Sequence, residues 1–286
     1  MEKGKFFVIE GTDGSGKSEQ FKLLKNRLEE NGHRVTTFDF PQYEKESSFF
    51  VRQYLNGAYG GWKDVGPYKA SLFYAMDRFD ISPKIREAID RGEIVLSNRY
   101  VGSNLGHQGS KLSRSERINF FKWDYDLEFH ILNIPKPDLN IVLHIPAKFA
   151  QELINKKEER KYLHGKKRDI HEDDIHHLRA AEETYLQIVN MWRQEYKLVE
   201  CVKKGKLLSI SEIHEKVWNI VRHNRDLCGV PDVPKNTPKE EVKKNPPHCL
   251  CCGSIMEICE PESMILRRLG SYALVCPTCP NNKNPV

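Results

Sequence analysis

The sequence predicts an α/β fold in which a mainly parallel, five-stranded sheet lies between two layers of helices. Two observations support this prediction over roughly residues 5–225. Short apolar runs that are rich in β-branched residues alternate with amphipathic helical segments, and the runs end in polar residues. A strand–helix–strand order that repeats along the chain requires parallel strands joined by crossover helices, which cover both faces of the sheet.

The first predicted strand, residues 5–10, leads directly into GTDGSGKS, residues 11–18. This segment has the phosphate-binding pattern of two glycines that flank four residues and precede Lys and Ser. Its glycines allow backbone N–H groups to turn toward an anion, and Lys17 is expected to reach the β- and γ-phosphates of a nucleotide. Ser18 is expected to hold Mg2+. The candidate nucleotide ligands are Gly11, Thr12, Asp13, Gly14, Ser15, Gly16, Lys17 and Ser18.

The strand before this motif and the helix after it, residues 18–31, favour a three-layer αβα sandwich of the P-loop NTPase type over a chance glycine-rich turn. The second strand, residues 34–40, has the β-branched content of an extended segment. It ends in FPQY, residues 40–43, at the edge where open α/β sheets bind ligands. Phe40 and Tyr43 are candidates for this role, although aromatic residues at strand ends usually pack in the core.

Two helices are predicted next, at residues 46–57 and at about 67–91. In the second helix, Tyr74 and Arg78 are four residues apart and share one face. Two readings of this pair stay open: a clamp for a planar base, through stacking and hydrogen bonds, or an ordinary surface pair.

The third strand, residues 93–100, is nearly all apolar, as expected of a buried parallel strand. Its polar end, with Asn98 and Arg99, is predicted at the same edge of the sheet as the phosphate-binding motif. An unpaired charge there is costly, which favours a functional Arg99 over a solvated one. The next segment, residues 101–111, is small and polar, and we expect a loop that stays out of the core and forms a wall of the binding site.

The remaining predicted elements are a helix at 114–132, a strand at 138–145, a helix at about 170–196, a strand at 198–202 and a helix at 209–225. Ser209 and Glu212 have capping-box spacing at the start of the last helix. Residues 148–169 are dense in Lys and Arg, with Gly165 as a hinge. They are either a solvated helix face or a mobile lid that carries cations over a transferring phosphoryl group.

Composition bears on the location and partners of the chain. The net charge of +5, with 30% charged residues, is a mild basic excess that suits a phosphate-bearing ligand without requiring nucleic acid. The longest early apolar run, FFVI, is too short for a signal peptide, and no segment approaches the length of a membrane span. We therefore expect a cytoplasmic protein.

The chain of 286 residues is predicted to contain an α/β domain at residues 1–226, a linker at 227–247 and a small module at 248–286. The linker has five prolines between residues 231 and 247 and no apolar periodicity. It is therefore expected to be extended and semi-rigid.

Six of the eight cysteines lie after residue 248, in pairs whose spacing favours metal over disulfides in a reducing compartment. Two CxxC pairs, separated by 23 residues, can place four thiolates around a structural Zn2+, as in a zinc ribbon. The predicted ligands are Cys249, Cys252, Cys276 and Cys279. Cys251 is an alternative to its neighbours, and residues 264–275 are predicted to form a β-hairpin. Arg267 and Arg268 are weak candidates for a nucleic-acid contact.

In their order, these motifs resemble the thymidylate kinase family over roughly residues 5–225. The resemblance rests on GTDGSGKS, FPQY, LFYAMDR, NRYVGSN, KPDL and RDIHE. It implies phosphorylation of dTMP to dTDP with ATP and Mg2+, by a homodimer, whereas the zinc-ribbon-like module is outside the family's usual pattern. The alternatives are a kinase of another nucleoside monophosphate or of a deoxynucleoside, and a nucleotide-gated protein that binds nucleic acid or a partner.

The resemblance also implies roles for single side chains. Asp13 would accept a hydrogen bond from the deoxyribose 3′-hydroxyl or orient the acceptor phosphate, and Arg99 would bind that phosphate. Tyr74 would stack on thymine, and Arg78 would donate to its O4. The other implied substrate contacts are Phe40 and Tyr43 in the monophosphate pocket, Ser103 and Asn104 at the base edge, and His107 and Gln108 close by.

The family places its transition-state arginine either in the phosphate loop or in the lid. Gly14 occupies the loop position, so the resemblance points to Arg160 and Arg168 in the lid. The implied catalytic set is Lys17, Arg99, Asp13, Arg160 and Arg168.

The sequence departs from the family's pattern at three places. Asn98 stands where the family commonly has Asp, which removes a carboxylate near Mg2+. Gln42 replaces a frequent Arg and removes a charge from the acceptor-phosphate pocket. His107 stands where many bacterial members carry a Tyr beside the sugar.

Overall fold

The computed structural model describes residues 3–161, 175–223, 239–244, 246, 257–259, 267–269 and 272–275, with side chains up to residue 155 in the first range. The chain divides into two compact units, residues 1–217 and 218–286. The boundaries predicted from composition, at residues 226 and 247, stay a prediction.

Five strands form one parallel sheet in the first unit, as the sequence predicts. They are β1 (Phe6–Gly11), β2 (Val35–Asp39), β3 (Ile94–Asn98), β4 (Leu139–His144) and β5 (Tyr196–Glu200). Their order across the sheet is β2-β3-β1-β4-β5. The chain therefore changes direction at β1, and such a switch opens a ligand crevice at the carboxyl end of the strand. Ile9 is paired with Asn98, so the phosphate loop and Arg99 leave the sheet side by side.

Helices flank this sheet. The structure gives α1 (Lys17–Glu30), α2 (Phe49–Leu55), α3 (Trp62–Asp90), α4 (Val101–Gly109), α5 (Arg114–Tyr125), α6 (Ala147–Lys161), α7 (Ile175–Met191) and α8 (Ile210–Arg222). Helix α3 is interrupted at Gly66, whose φ is 72°, directly before Pro67. The predicted capping box of α8 is confirmed, since Glu212 N–H donates to Ser209 Oγ at 3.2 Å. Among the described helices, none combines the length and the apolar character that a membrane crossing requires.

The segment that was expected to be a polar loop outside the core is the buried helix α4, so this part of the prediction is wrong. The segment does line the cavity described below, as expected of a wall of the binding site. Its small residues serve close packing. A Cβ at Gly106 would lie 2.6 Å from the Tyr185 ring on α7, and one at Gly102 would lie 2.9 Å from Glu10 Oε1. The contacts that these glycines permit outweigh their low helix propensity, which is why the composition was misleading.

The helix predicted at residues 114–132 ends at Tyr125 and continues as a π-helical turn, Asp126–Ile131. Such turns are frequent at functional sites because they redirect side chains. Here the turn carries Glu128, which is fully buried.

After β5, the first unit also contains a short antiparallel pair, β6 (Val202–Lys203) and β7 (Lys206–Leu207). The second unit contains β8 (Glu257–Cys259), β9 (Arg267–Leu269) and β10 (Tyr272–Val275), which form an antiparallel sheet in the order β8-β10-β9. The predicted hairpin is thus confirmed as β9 and β10. Helix α9 (Lys239–Lys244) lies in the region that was expected to be extended, because its Lys and Glu residues are good helix formers. The predicted zinc ligands, Cys249, Cys252, Cys276 and Cys279, lie outside the described residues.

Candidate active site

The phosphate loop fills the turn between β1 and α1. Gly16, with a φ of 84°, allows α1 to begin at Lys17 with its N-terminus facing the loop. Lys17 is buried, and its Nζ donates to the carbonyl oxygens of Gly11 at 3.0 Å and Thr12 at 2.8 Å. The hydroxyl of Ser15 is buried in the same loop and has no partner among the described residues. The loop therefore gathers the donors that a polyphosphate requires.

Gly14 lies in the middle of the loop, with a φ of 77°, and faces α6. A Cβ at this position would lie 2.5 Å from the carbonyl oxygen of Ala150 and 2.9 Å from the side chain of Ile154. The loop and the start of α6 are therefore in backbone contact.

Arg99 leaves the end of β3 with a left-handed backbone, at a φ of 67°. Such a conformation costs about 1–3 kcal/mol and persists only where its surroundings hold it. Here the Arg99 N–H donates to the Ile9 carbonyl at 3.0 Å. The guanidinium donates to the Asp13 carboxylate, to Ser103 Oγ at 3.3 Å and to His107 Nε2 at 3.1 Å. Arg99 is thus held at the loop by both its backbone and its side chain.

Asp13 lies between two cations. Its Oδ1 accepts a hydrogen bond from Arg99 and lies 3.9 Å from Lys17 Nζ. Although burial alone raises the pKa of Asp13, the charges of Arg99 and Lys17 outweigh it and hold this pKa well below its usual range. Asp13 is therefore ionised, and the strand cation and the loop cation face the same site.

His107 is a neutral acceptor for Arg99. Desolvation, assisted by the Arg99 charge, lowers the pKa of His107 well below its usual value. Because a guanidinium only donates, Nε2 accepts the hydrogen bond and the ring proton lies on Nδ1. The ring of His177, on α7, stacks on His107 with a centroid distance of 5.9 Å.

These groups line a cavity of about 300 Å3 between α3, α4 and the carboxyl ends of β2 and β3. The lining residues that the sequence predicted are Asp13, Phe40, Tyr43, Tyr74, Arg78, Arg99, Ser103, Asn104, His107 and Gln108. The lining residues that it missed are Asp39, Pro41, Leu55, Tyr100, Lys111 and His177. Asp39 directly precedes FPQY, and Lys111 ends the segment 101–111 that was predicted to form a wall of the site, so proximity to these segments is the signal that would have indicated both residues.

The end of β2 contributes a carboxylate to the cavity. Asp39 lies beside Asn98 in the sheet, and the Asn98 amide donates to Asp39 Oδ1 at 2.9 Å. Burial raises the pKa of Asp39. Gln42 is held against α3, where its backbone N–H donates to Asp77 Oδ2 at 2.8 Å. The carboxylate that is missing at position 98 is therefore present one strand away.

Glu10 fixes the start of α4. It is fully buried, and its carboxyl group accepts hydrogen bonds from Tyr100 N–H at 2.8 Å and Ser103 Oγ at 2.6 Å. Burial raises the pKa of Glu10. The residues of α4 that line the cavity are thus anchored to β1, the strand that carries the phosphate loop.

The far end of the cavity is built on a buried ion pair. Arg78 Nε donates to Glu128 Oε2 at 2.7 Å, and a second bond joins Nη2 to Oε1. The Asn104 amide donates to Asp124 Oδ1 at 3.0 Å. The interpretation of Arg78 as a surface residue is wrong, because its side chain is only 3% exposed.

Two of the predicted catalytic residues are not placed. Helix α6 includes Arg160, whose side chain is not described, and Arg168 lies outside the described residues. Their roles stay predictions.

The sheet order and the phosphate loop are those of a P-loop protein. In the adjoining cavity, Arg99 shares the Asp13 carboxylate with Lys17 of the loop. Together, these features define a P-loop phosphotransferase. The thymidylate kinase family model matches residues 9–210, and the chain belongs to this family.

Known relatives agree with this assignment. The probable thymidylate kinase of Pyrococcus horikoshii is 29% identical over 233 residues, which cover 80% of this chain and 100% of that protein. The thymidylate kinase of Mycobacterium tuberculosis is 28% identical over 168 residues, or 58% of this chain and 77% of that protein. A solved thymidylate kinase from Candida albicans has the same fold, with a TM-score of 0.59 at 20% identity over 78% of this chain and 93% of that one.

Proposed function

We propose that this chain transfers the γ-phosphoryl group of ATP to dTMP and so produces ADP and dTDP. The observation that carries the proposal is the Asp13 carboxylate, which is shared by Lys17 of the phosphate loop and Arg99 of the neighbouring strand. Two cations that meet at one carboxylate are placed to hold two phosphates close together. Membership of the thymidylate kinase family supports the same reaction.

The transfer needs little covalent chemistry from the protein. An ionised oxygen of the acceptor phosphate forms a bond to the γ-phosphorus while the bond to the β,γ-bridging oxygen breaks and ADP leaves. Lys17 stabilises the donor phosphates, and Arg99 exchanges its bond with Asp13 for the acceptor phosphate. Asp13 is then available to the sugar or to the acceptor. No general base is needed, because the attacking oxygen carries no proton at neutral pH.

The residues at the mouth of the loop fit Mg2+, which prefers oxygen ligands. Ser18 is exposed at the start of α1, the carboxylate of Asp39 lines the cavity, and Asn98 Oδ1 is buried without a partner among the described residues. Ser18 would hold a magnesium ion, and Asp39 would contact the ion directly or through water. The ion would neutralise charge on the β- and γ-phosphates. The transition-state cations are proposed to be Arg160 and Arg168.

The test is a panel of acceptors supplied with ATP and Mg2+, with products separated by anion-exchange chromatography. We expect dTDP from dTMP, and much slower conversion of dCMP, dAMP and thymidine. The Lys17→Ala variant serves as the background control. Conversion of thymidine but not dTMP would indicate a deoxynucleoside kinase, and tight DNA binding without any dTDP would indicate a binding protein.

For the C-terminal module, residues 248–286, the proposal is one structural Zn2+ on Cys249, Cys252, Cys276 and Cys279. Support comes from the small antiparallel sheet, whose strands lie between the two cysteine pairs along the chain. A module of this size has little core, so the metal would supply its folding energy. Elemental analysis should find one zinc per chain, and the Cys276→Ser variant should lose it. A protein that folds fully with no zinc would contradict the proposal.

Helix α3 supports a homodimer, as the family resemblance implies. Its exposed residues Tyr68, Leu72, Met76 and Phe79 follow one another at steps of three or four, which places them on one face. An apolar stripe of this kind is typical of a protein interface. Analytical ultracentrifugation should show a dimer that Met76→Asp dissociates, whereas a monomeric wild type would contradict it. A cytoplasmic location stays a prediction from the sequence.

A further inference from the structure

The far end of the cavity holds two side chains in fixed orientations through a single carboxylate. Glu128 accepts two hydrogen bonds from Arg78, on Nε and Nη2. The Nδ2 group of Asn104 lies 3.4 Å from Glu128 Oε1, 3.5 Å from the carbonyl oxygen of Ser71 and 3.0 Å from Asp124 Oδ1. All three neighbours of this amide nitrogen are oxygen atoms, which suits a group that can only donate.

Two of these oxygen atoms cannot donate a hydrogen bond. A backbone carbonyl is always an acceptor, and both carboxyl oxygens of Glu128 already accept hydrogen bonds from Arg78. Turning the Asn104 amide over would place Oδ1 against the Ser71 carbonyl and the Glu128 carboxylate, where oxygen would face oxygen without a proton. This arrangement is costly because the whole cluster is desolvated.

Asp124 is the third neighbour of the Asn104 amide. Burial, together with the nearby Glu128 charge, raises the pKa of Asp124 well above its usual range. The raised pKa favours the protonated form of Asp124, in which a carboxyl group can donate as well as accept. Asp124 accepts from Asn104 at 3.0 Å, while Glu128 and the Ser71 carbonyl are the two neighbours that cannot donate to a reversed amide.

The fixed amide leaves one unused acceptor. Asn104 lines the cavity, and its Oδ1 is buried with no hydrogen-bond partner among the described residues. Arg78 also lines the cavity, and Glu128 occupies only two of its five N–H groups. The cavity thus offers a donor from Arg78 and an acceptor from Asn104.

We propose that Glu128, which touches no nucleotide itself, is the positioning residue that selects the base, because it orients Arg78 as a donor and Asn104 as an acceptor. Thymine presents the complementary edge, with O4 as an acceptor beside N3–H as a donor. Cytosine presents the reverse, with a 4-amino donor beside the N3 acceptor, and it would leave both protein groups unpaired. This inference rests on the proposed phosphorylation of dTMP.

The experiment compares kcat/KM for dTMP with kcat/KM for dCMP in wild type, Glu128→Gln and Asp124→Asn. A glutamine at position 128 carries both an acceptor and a donor, so it permits the Asn104 amide to turn over. We expect Glu128→Gln to lower the ratio of dTMP to dCMP at least tenfold, mainly through a higher KM for dTMP. The matched buried variant Asp124→Asn should keep the ratio within about threefold of wild type, since it retains both determinants.

Titration calorimetry of dTMP without ATP provides a readout that does not depend on turnover. We expect Glu128→Gln to weaken dTMP binding and to leave dCMP binding the same or stronger. An unchanged ratio in Glu128→Gln, or an equal loss in Asp124→Asn, would overturn the inference while the kinase assignment stands. A wild-type protein that neither binds nor phosphorylates dTMP would instead refute the proposed function.

Should Glu128→Gln fail to fold, the double variant Arg78→Met/Glu128→Met replaces the buried pair by apolar side chains of similar volume, an exchange that buried pairs often tolerate. The inference then requires that the preference for dTMP over dCMP falls at least tenfold in this variant. A preference that survives the loss of both residues would overturn it.

Discussion

The two ends of the cavity use ion pairs in different ways. At the base end, the side chains of Arg78 and Glu128 are 3% and 0% exposed. At the phosphate end, those of Arg99 and Asp13 are 22% and 21% exposed. A fully desolvated pair cannot exchange partners without leaving a bare charge in the protein interior, whereas a pair that water reaches can do so. We therefore expect the Arg78 end of the cavity to stay fixed when the substrate binds, and the Arg99 end to exchange partners.

The largest expected effect is a loss of turnover when a cation of the phosphate end is removed. In the proposed mechanism Lys17 and Arg99 each meet charge in the transition state, so Lys17→Ala and Arg99→Ala should each lower kcat by roughly 100- to 1,000-fold. A coupled ADP-release assay measures this, and melting temperatures near wild type would show that the fold is kept. Lys25→Ala, on the exposed face of α1, is the matched control and should retain full activity. Near-normal turnover in either site variant would remove that residue from the mechanism.

For stability, the larger effect is expected at the base end, at Glu128, and the smaller one at the phosphate end, at Asp13. Glu128→Gln leaves Arg78 with a buried, uncompensated charge and should lower the free energy of unfolding by about 3–5 kcal/mol. Asp13→Asn affects a pair that water reaches and should cost only about 1 kcal/mol. Urea denaturation followed by tryptophan fluorescence compares the two. Equal losses would mean that both pairs are structural, and the contrast between the ends would fail.

The third prediction concerns α4, which contributes residues to both ends. Gly106→Ala forces a methyl group into the Tyr185 ring, so α4 must move away from α7. Overpacking of this kind typically costs about 1–3 kcal/mol. We expect a lower melting temperature together with a higher KM for dTMP and a lower kcat. A change confined to one kinetic parameter would show that α4 serves one end only.

The smallest expected effect is a pH dependence at the phosphate end. The folded protein holds His107 neutral, whereas the unfolded chain binds a proton at this residue below a pH of about 6.5. Stability should therefore fall as the pH decreases below about 6.5, and His107→Gln should remove that part of the decline. Urea denaturation between pH 7.5 and pH 5.5 tests it. Identical pH profiles for both proteins would contradict a neutral His107.

Sequence reasoning worked best where one local pattern determines one element. The phosphate loop, the parallel strands and the capping box of α8 each depend on residues a few positions apart, and all are present in the structure. It failed at α4, because the glycines that argue against a helix are explained only by contacts with Tyr185 and Glu10, which lie far away in sequence.

The ion-pair partners of the site residues could not be predicted from the sequence either. Arg78 and Glu128 are 50 residues apart, and Asp13 and Arg99 are 86 apart, so no spacing rule connects them. The residue types in the cavity were predictable from motifs and from the family resemblance. Which charges neutralise one another, and how deeply, follows only from the three-dimensional packing.

The backbone contact between Gly14 and Ala150 constrains how this active site can change. An arginine at position 14 has no space unless α6 first retreats, because even a Cβ would collide with the Ala150 carbonyl. Introducing a cationic side chain into the phosphate loop therefore requires coordinated changes in two separate segments of the chain. A single substitution to arginine at position 14 would displace the phosphate loop or α6, so the position of this helix keeps side chains out of the middle of the loop.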